Sequence, residues 1–515
     1  MSGLGSGGAM AMTTASKRDG FVALRRFGFG ARPGEAAYLR GDPRGAVLAW
    51  LDPDEAILTG DLGQTAAINR DVWDMQEEEK RAREAKLTLA SAPAAAAASA
   101  PAMGAPAMAG GMAAPATGNG MAAPAMGMAG GMEMGKASPG GMAPQVRVPT
   151  RHYQAEITAK LDRQITSDTP MVERLVNFWS NHFCVSAGKN DHVRATAGAY
   201  EREAIRPYVL GRFADMVKAT AHHPAMLQFL DNQLSVGPTS KAGIREKKGL
   251  NENLAREIME LHTLGVDGGY TQADVTAFAR VLTGWTLAYR NDKQAEPGTA
   301  KFAPDRHEPG AVTIMGKTYP DVGRDQLDLA LDTFAADPAT ARHVASKLAR
   351  HFVGDAAPQP LIDRLAKTFR DTDGDLAAVT KALVTSDEAW AGPQVKVLSP
   401  WDMLVALGRT FNIGWSFGEA NRMLVLFGQP AWEVPFPSGW PDDDAAWAAP
   451  DNLLEMLDAV FALARRNAGD RDPSALADAV LGPLMGDPTR QAIRRAGSRD
   501  EALALLVMSP EFLRR

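Results

Sequence analysis

The chain has 515 residues, with 55 Lys and Arg against 61 Asp and Glu, for a formal net charge of −6. That mild acidity, with no basic stripe in view, argues against nucleic acid as the main partner. A hydrophobic content of 45% suits a globular protein with a large core, although an Ala/Met-rich tract inflates it.

The single cysteine, Cys184, excludes an internal disulfide framework and a cysteine-based zinc cluster, and its apolar setting makes a buried thiol the default. The N-terminal residues lack a basic head followed by an apolar run. No stretch of about 18 apolar residues escapes glycine, proline or charge, so neither a signal peptide nor a membrane span is expected. The cytoplasm is the default location.

Residues 1–20 read as disordered and 21–90 as the first helical part of the core. A short helix over Phe21 to Arg26 runs into Gly28–Gly34, whose spacing is not that of a dinucleotide loop, and a long charged helix covers Ala66 to Leu89. From 91 to 145 the composition collapses to Ala, Met, Gly and Pro, which cannot bury enough apolar surface to offset ordering entropy, so a disordered insert is expected. Its Met126, Met128, Met132 and Met134 carry thioethers of the kind that bind Cu(I), although methionine tracts in such a segment are more often accidents of composition.

Residues 146–290 read as a central helical core. A helix over Tyr153 to Ile165 is followed by another starting at Pro170, in which Leu175, Phe178 and His182 share a stripe with Trp179 close by. Tyr200 to Val217 and Ala219 to Leu230 read as further helices, and Leu234 to Lys248 as a polar loop placed where a lid would sit.

Asn251 to Trp285, NENLAREIMELHTLGVDGGYTQADVTAFARVLTGW, organises the chain as two helices joined by a glycine-rich turn. At about 100° per residue, Leu254, Ile258 and Leu261 form an apolar stripe with Glu257 at one edge. His262 lies roughly 140° around from Glu257, so Glu257, Glu260 and His262 cannot chelate one ion from a single face. Gly265 suits the left-handed helix end, Thr271 with Asp274 forms a capping box, and Val275, Phe278, Ala279 and Leu282 face inward. Glu252, Arg256 and Glu260 have the spacing of an intrahelical charge ladder.

Residues 291–395 read as a small β-hairpin around Gly316, preceded by His307-Glu308-Pro309-Gly310, and then as helices from Asp325 to Trp390. Asp371, Asp373 and Asp375 lack the glycine and glutamate positions of a calcium loop and mark a helix–helix turn. Residues 396–515 form a C-terminal helical part, with a helix from Ser399 to Phe411. Pro430 to Trp447 is irregular, and its Trp432, Phe436, Trp440 and Trp447 either stack on a sugar or hold a prolyl loop onto the core. Asp442 to Asp444 suit the first turn of a following helix. The fold class expected is mainly α: a multi-helix globular domain with one small β-hairpin region and a long disordered insert.

Taken in order, RFGFGARPGE, ERLVNFWSNHF, the Asn251–Trp285 stretch, HEPG, KVLSPWDMLVALGR and PFPSGWPDD resemble the DUF1800 family, a bacterial family named for its lack of an assigned function. The resemblance runs from about Phe21 to Arg515 apart from the insert. Glu308 departs from the His-Asp that is common in the family, which weakens any fixed carboxylate role there. Members are often encoded beside a DUF1501-type protein, so the resemblance implies a binding or assembly protein working with such a partner.

The alternative is a metal-assisted hydrolase with its site between the NFWSNHF and NLAREIMELH helices. His182, Glu257 and Glu260 would hold a divalent metal, Glu257 or Glu260 would act as general base, and His307 would close the site. No HExxH, GxSxG or paired ExxH motif specifies a reaction.

Overall fold

The computed structural model describes residues 17–39, 41–91, 146–448, 450–467 and 469–515. The chain divides into two compact units, one of residues 1–74 with 147–515 and one of residues 75–146. The smaller unit is helical over residues 75–91. The insert expected to be disordered, with Met126, Met128, Met132 and Met134, lies outside the described residues apart from Ser91. Residues 17–20, expected to lie outside the core, are the first turn of a helix that continues to residue 26.

The large unit is mainly helical, as expected. Among the described residues its sheets are two antiparallel pairs, Trp285–Leu287 with Ala300–Phe302 and Val312–Ile314 with Lys317–Tyr319. The second pair is the expected hairpin, turned through Met315 and Gly316 in the left-handed region. The first pair was not expected, because Trp-Thr-Leu directly follows a helix and is too short to show an alternation. No helix among the described residues is long and apolar enough to cross a membrane.

At the centre lies the Pro170–His182 helix. Its proline occupies the first turn, where no N–H is needed, and it is buried on all sides, as only an interior helix can be. The Val148–Thr166, Pro338–Val353 and Pro400–Phe411 helices supply three of its neighbours in the site described below.

The organising stretch folds largely as read. Gly265 has φ 86°, the Thr271–Asp274 capping box is formed, and Val275, Phe278, Ala279 and Leu282 are buried. The departure is at its centre, where the α-helix covers only Asn253–Glu257 and continues as a π turn over Ile258–His262. A π turn has more residues per turn, so the 100° count fails after Glu257. Leu261 is consequently only partly buried, and His262, assigned to an opposite edge, is buried.

The charge ladder is redirected for the same reason. Arg256 meets Glu252 at 3.2 Å, but its other partner is Gln272 of the next helix at 2.9 Å. The stretch read as one helix from Tyr200 to Val217 also breaks, through a π turn at Glu201–Ile205 and a 3-10 turn at Arg206–Tyr208. The polar loop from Leu234 contains a short helix, Lys241–Glu246, capped by Ser240.

Candidate functional site

Two buried ionic belts run beside the central helix. In the first, Glu173 takes both ends of the Arg206 guanidinium at 2.7 and 3.0 Å, and Arg206 also reaches Glu201. Glu201 accepts from Lys160 at 2.5 Å and from Ser180 at 2.8 Å. Burial pushes the Glu201 carboxyl up, but Lys160 and Arg206 outweigh it and hold the group ionised, below its ordinary range. The Lys160 ammonium lies over the rings of Trp401 and Trp432, at 5.2 and 5.3 Å.

In the second belt, Asp402 accepts from Arg174 at 3.0 Å and lies 3.4 Å from Arg515. His351 Nδ1 donates to Asp442 at 3.0 Å, while its Nε2 faces an Arg515 nitrogen at 3.5 Å. Burial lowers the His351 pKa to about 4, so this is the neutral tautomer. Asp442 is pushed up by burial, but His351, Lys396 and Arg515 together hold it well below the carboxylate range.

The segment Pro430–Trp447 is irregular, as expected, apart from a short helix at Asp444–Trp447. It is stitched to the end of the central helix and the connection after it, mostly through its own backbone carbonyls. Tyr153 Oη donates to the Ala431 carbonyl, Ala187 N to Trp432, Ser186 Oγ to Val434 and Cys184 Sγ to Pro437. Asn181 both donates to the Trp440 carbonyl at 2.9 Å and accepts from its N–H at 2.8 Å. Gly439 has φ 82°, and a Cβ there would sit 2.5 Å from the Asn181 backbone oxygen, so only glycine fits. Burial raises the Cys184 thiol to about 12, which keeps it a protonated donor and a structural thiol.

The expected helix-start role of the aspartates is taken by Asp443, which caps Asp444–Trp447. Asp442 instead turns inward to His351 and Lys396, and Asp444 accepts from the Val397 N–H.

Segment, central helix and the two belts line a cavity of about 130 Å³ whose wall includes four tryptophans, Trp401, Trp432, Trp440 and Trp447. Its polar walls include Asn177, Ser180 and Asn181 of the central helix, Ser399 and Gln429. A cavity of roughly 150 Å³ accepts a benzene ring, so this one is of single-ring size, and the substituents of a sugar would extend beyond it.

The Pro338–Val353 helix closes one side. His343, Lys347 and His351 lie on it at i, i+4 and i+8, and so on one face. His343 Nε2 donates to the Leu261 carbonyl at 3.1 Å, in the π turn of the organising stretch, and His351 meets the tryptophan segment. Lys347, between them, is partly buried and lines the cavity. Burial lowers its pKa to about 8, against the pull of Asp442.

Of the residues singled out from sequence, His182 lines this cavity. Its Nε2 donates to the His262 carbonyl at 3.0 Å, one of the free carbonyls at the helix end, and its buried Nδ1 has no partner. Burial first, then the Lys347 charge, holds its pKa far below 6.5, so the ring is neutral.

Glu257 and Glu260 are partly exposed. Burial and the Glu260 charge raise the Glu257 carboxyl. The contact between His182 and this stretch therefore runs through a backbone carbonyl rather than a shared ligand sphere. Among the described residues no three His, Cys, Asp or Glu side chains are grouped to hold a metal ion.

His307 belongs to another neighbourhood. Its Nδ1 donates to the Thr283 carbonyl at 2.9 Å and its ring packs on Phe302. Beside it, Glu308 accepts from the Thr239 N–H and hydroxyl, both at 2.9 Å, which ties down the loop read as a lid.

The sequence reading missed Lys160, Lys347, His351, Asp402 and Arg515. The i, i+4, i+8 spacing in HVASKLARH was a usable signal for three groups on one face. The belts gave none: the first joins charges 5 to 41 residues apart with no shared helical spacing, and the second joins residue 174 to residues 402 and 515.

The model of a family described as "Protein of unknown function (DUF1800)" matches residues 22–514. No curated protein and no solved structure matches the chain.

Proposed function

The chain belongs to the DUF1800 family, and from that premise we propose that it is a binding protein whose site is the tryptophan-lined cavity and whose ligand presents one polar, saccharide-like ring. The observation that carries this reading is the wall itself. Indole rings border a ring-sized space, and Asn177, Ser180 and Asn181 line it from an interior helix. Apolar faces with a few fixed polar groups are the usual makeup of a small-molecule site.

Trp432, Trp440 and Trp447 are each partly exposed toward solvent, so a ligand can reach them without unfolding the segment. A partner such as a DUF1501-type protein fits this reading as the protein that delivers or receives the ligand. Titration of the native protein with glucose, cellobiose and glucuronate, followed by tryptophan fluorescence, tests it. A saturable change that Trp432→Ala and Trp440→Ala abolish supports the reading; an unchanged spectrum with all three sugars overturns it.

The second reading, a metal-assisted hydrolase at His182, Glu257 and Glu260, draws on one observation. Burial and then the Glu260 charge raise the Glu257 carboxyl, so the two side chains act on one another electrostatically. Elemental analysis of wild type and Glu257→Gln addresses it. Near-stoichiometric metal lost in the variant would favour catalysis, and metal content equal in both proteins would remove this pair from consideration.

A further inference from the structure

We propose that the cavity is an oxyanion site, in which a carboxylate, sulfate or phosphate group on the ligand forms an ion pair with the Lys347 ammonium. The inference rests on reading the cavity as a ligand site and names the class of ligand.

The charged side chains on the cavity wall are matched in pairs with one exception. Lys160 has Glu201, Arg515 has Asp402, and Asp442 has His351 and Lys396. Among the described residues Lys347 has neither an ion pair nor a hydrogen bond, although it lies in the same wall. It is partly buried rather than cut off from water, so it stays accessible to a ligand, and an anion there gains a pair that no protein group supplies.

The groups that face Lys347 do not supply the partner. From the central helix and the connection after it come His182, a neutral ring, and Cys184, a protonated thiol that donates to Pro437. From the π turn comes His262, held neutral near a pKa of about 3 by burial and by the Lys347 charge. From its own helix come His343, near a pKa of about 4, and Arg350, which repels it. From the tryptophan segment comes Asp442, which attracts Lys347, but its two oxygens are engaged by His351 and Lys396. An arriving anion meets an ammonium with three donors, whose one nearby carboxylate, Asp442, is bonded to other groups.

With the Lys347 pKa lowered to about 8 by burial, an anion favours the ammonium and raises that value. Binding of the anion therefore weakens as pH rises through the amine's titration.

The test is pulsed reductive methylation of the native full-length protein, read at Lys347 by mass spectrometry across pH 6–10. It is run alone and with inorganic sulfate, inorganic phosphate, glucuronate or glucose. Protection by about tenfold, the effect of raising the amine pKa by about one unit, is expected with the anions and not with glucose. The preferred anion identifies whether the ligand is a sulfate, phosphate or carboxylate. Equal rates with and without all three anions would overturn the proposal.

Lys347→Met is expected to lose glucuronate binding and Lys347→Arg to retain it, with folding checked by melting. Should the Met variant fail to fold, protection of the native protein still decides. Glucose and glucuronate quenching tryptophan equally, with no protection of Lys347, would leave the ring-binding reading standing and remove the anion. Protection by sulfate without any sugar response would do the reverse.

Discussion

At the scale of single residues, the centre of this protein is held by charge as much as by apolar packing. Glu173, Glu201, Lys160 and Arg206 are all buried, and each is matched in the belt. Removing one member of such a set leaves its partner charged and out of water, at a cost of about 3–5 kcal/mol. Lys160→Met is expected to show a loss of that size in urea denaturation, and an unchanged midpoint would mean that Arg206 alone satisfies Glu201. Arg81→Ala should cost far less, since both Arg81 and its partner Glu77, 3.2 Å away, are exposed.

The candidate residues were legible only in part at this scale. His182 was found because its motif sits on an apolar stripe. Lys347 was not, because a lysine on a helix reads as a solvated face unless the cavity beside it is known.

At the scale of elements, the legible features were those fixed by neighbours in sequence. The Thr271–Asp274 capping box, the left-handed Gly265 and the Ser399 cap each follow from chemistry within four residues. Thr271→Ala is expected to lower stability by about 1 kcal/mol, seen as a shift in melting temperature without loss of fold.

The two π turns escaped a count at fixed angle. They decide where Glu201 sits and which carbonyls of the 258–262 turn are left to accept from His182 and His343. Gly439 marks another limit, since nothing in PFPSGWPDD says that Asn181 will lie against it. Gly439→Ala adds a left-handed penalty of about 1–2 kcal/mol to a clash with backbone. It is expected to loosen the segment, lowering the melting temperature and blunting any ligand-induced fluorescence change together.

At the scale of the whole molecule, the buried histidines set the response to acid. His262, His343 and His351 have folded pKa values of about 3, 4 and 4, below the unfolded value of about 6.5. The unfolded chain therefore binds more protons throughout that interval. Stability is full above about pH 6.5 and falls as pH drops toward 4, by up to about 1.4 kcal/mol per pH unit for each histidine. Asp442, held low, adds a loss of the same sign that begins only below its unfolded value. Melting curves at pH 7.5, 6.0 and 5.0 should fall in that order; a flat profile would mean that these rings are already protonated in the fold. Mainly helical architecture was evident from periodicity, whereas the cavity was not, because it joins residue 160 to residues 347, 402, 442 and 515.

The stitching of the tryptophan segment has a consequence for how such a site can change. Five of the bonds that hold it are accepted by its own carbonyl oxygens, at Ala431, Trp432, Val434, Pro437 and Trp440. A carbonyl is the same whatever side chain the residue bears. Apart from the carboxylates of Glu433, Asp442 and Asp444, the anchoring chemistry is thus written in Tyr153, Asn181, Cys184, Ser186 and the Ala187 N–H, on the other side of the seam. Side chains facing the cavity from 432, 440 and 447 can be exchanged while the backbone path is kept. The segment is an interchangeable faceplate on a constant frame, and a library randomised at those three positions should yield mostly folded proteins with altered ligand preference.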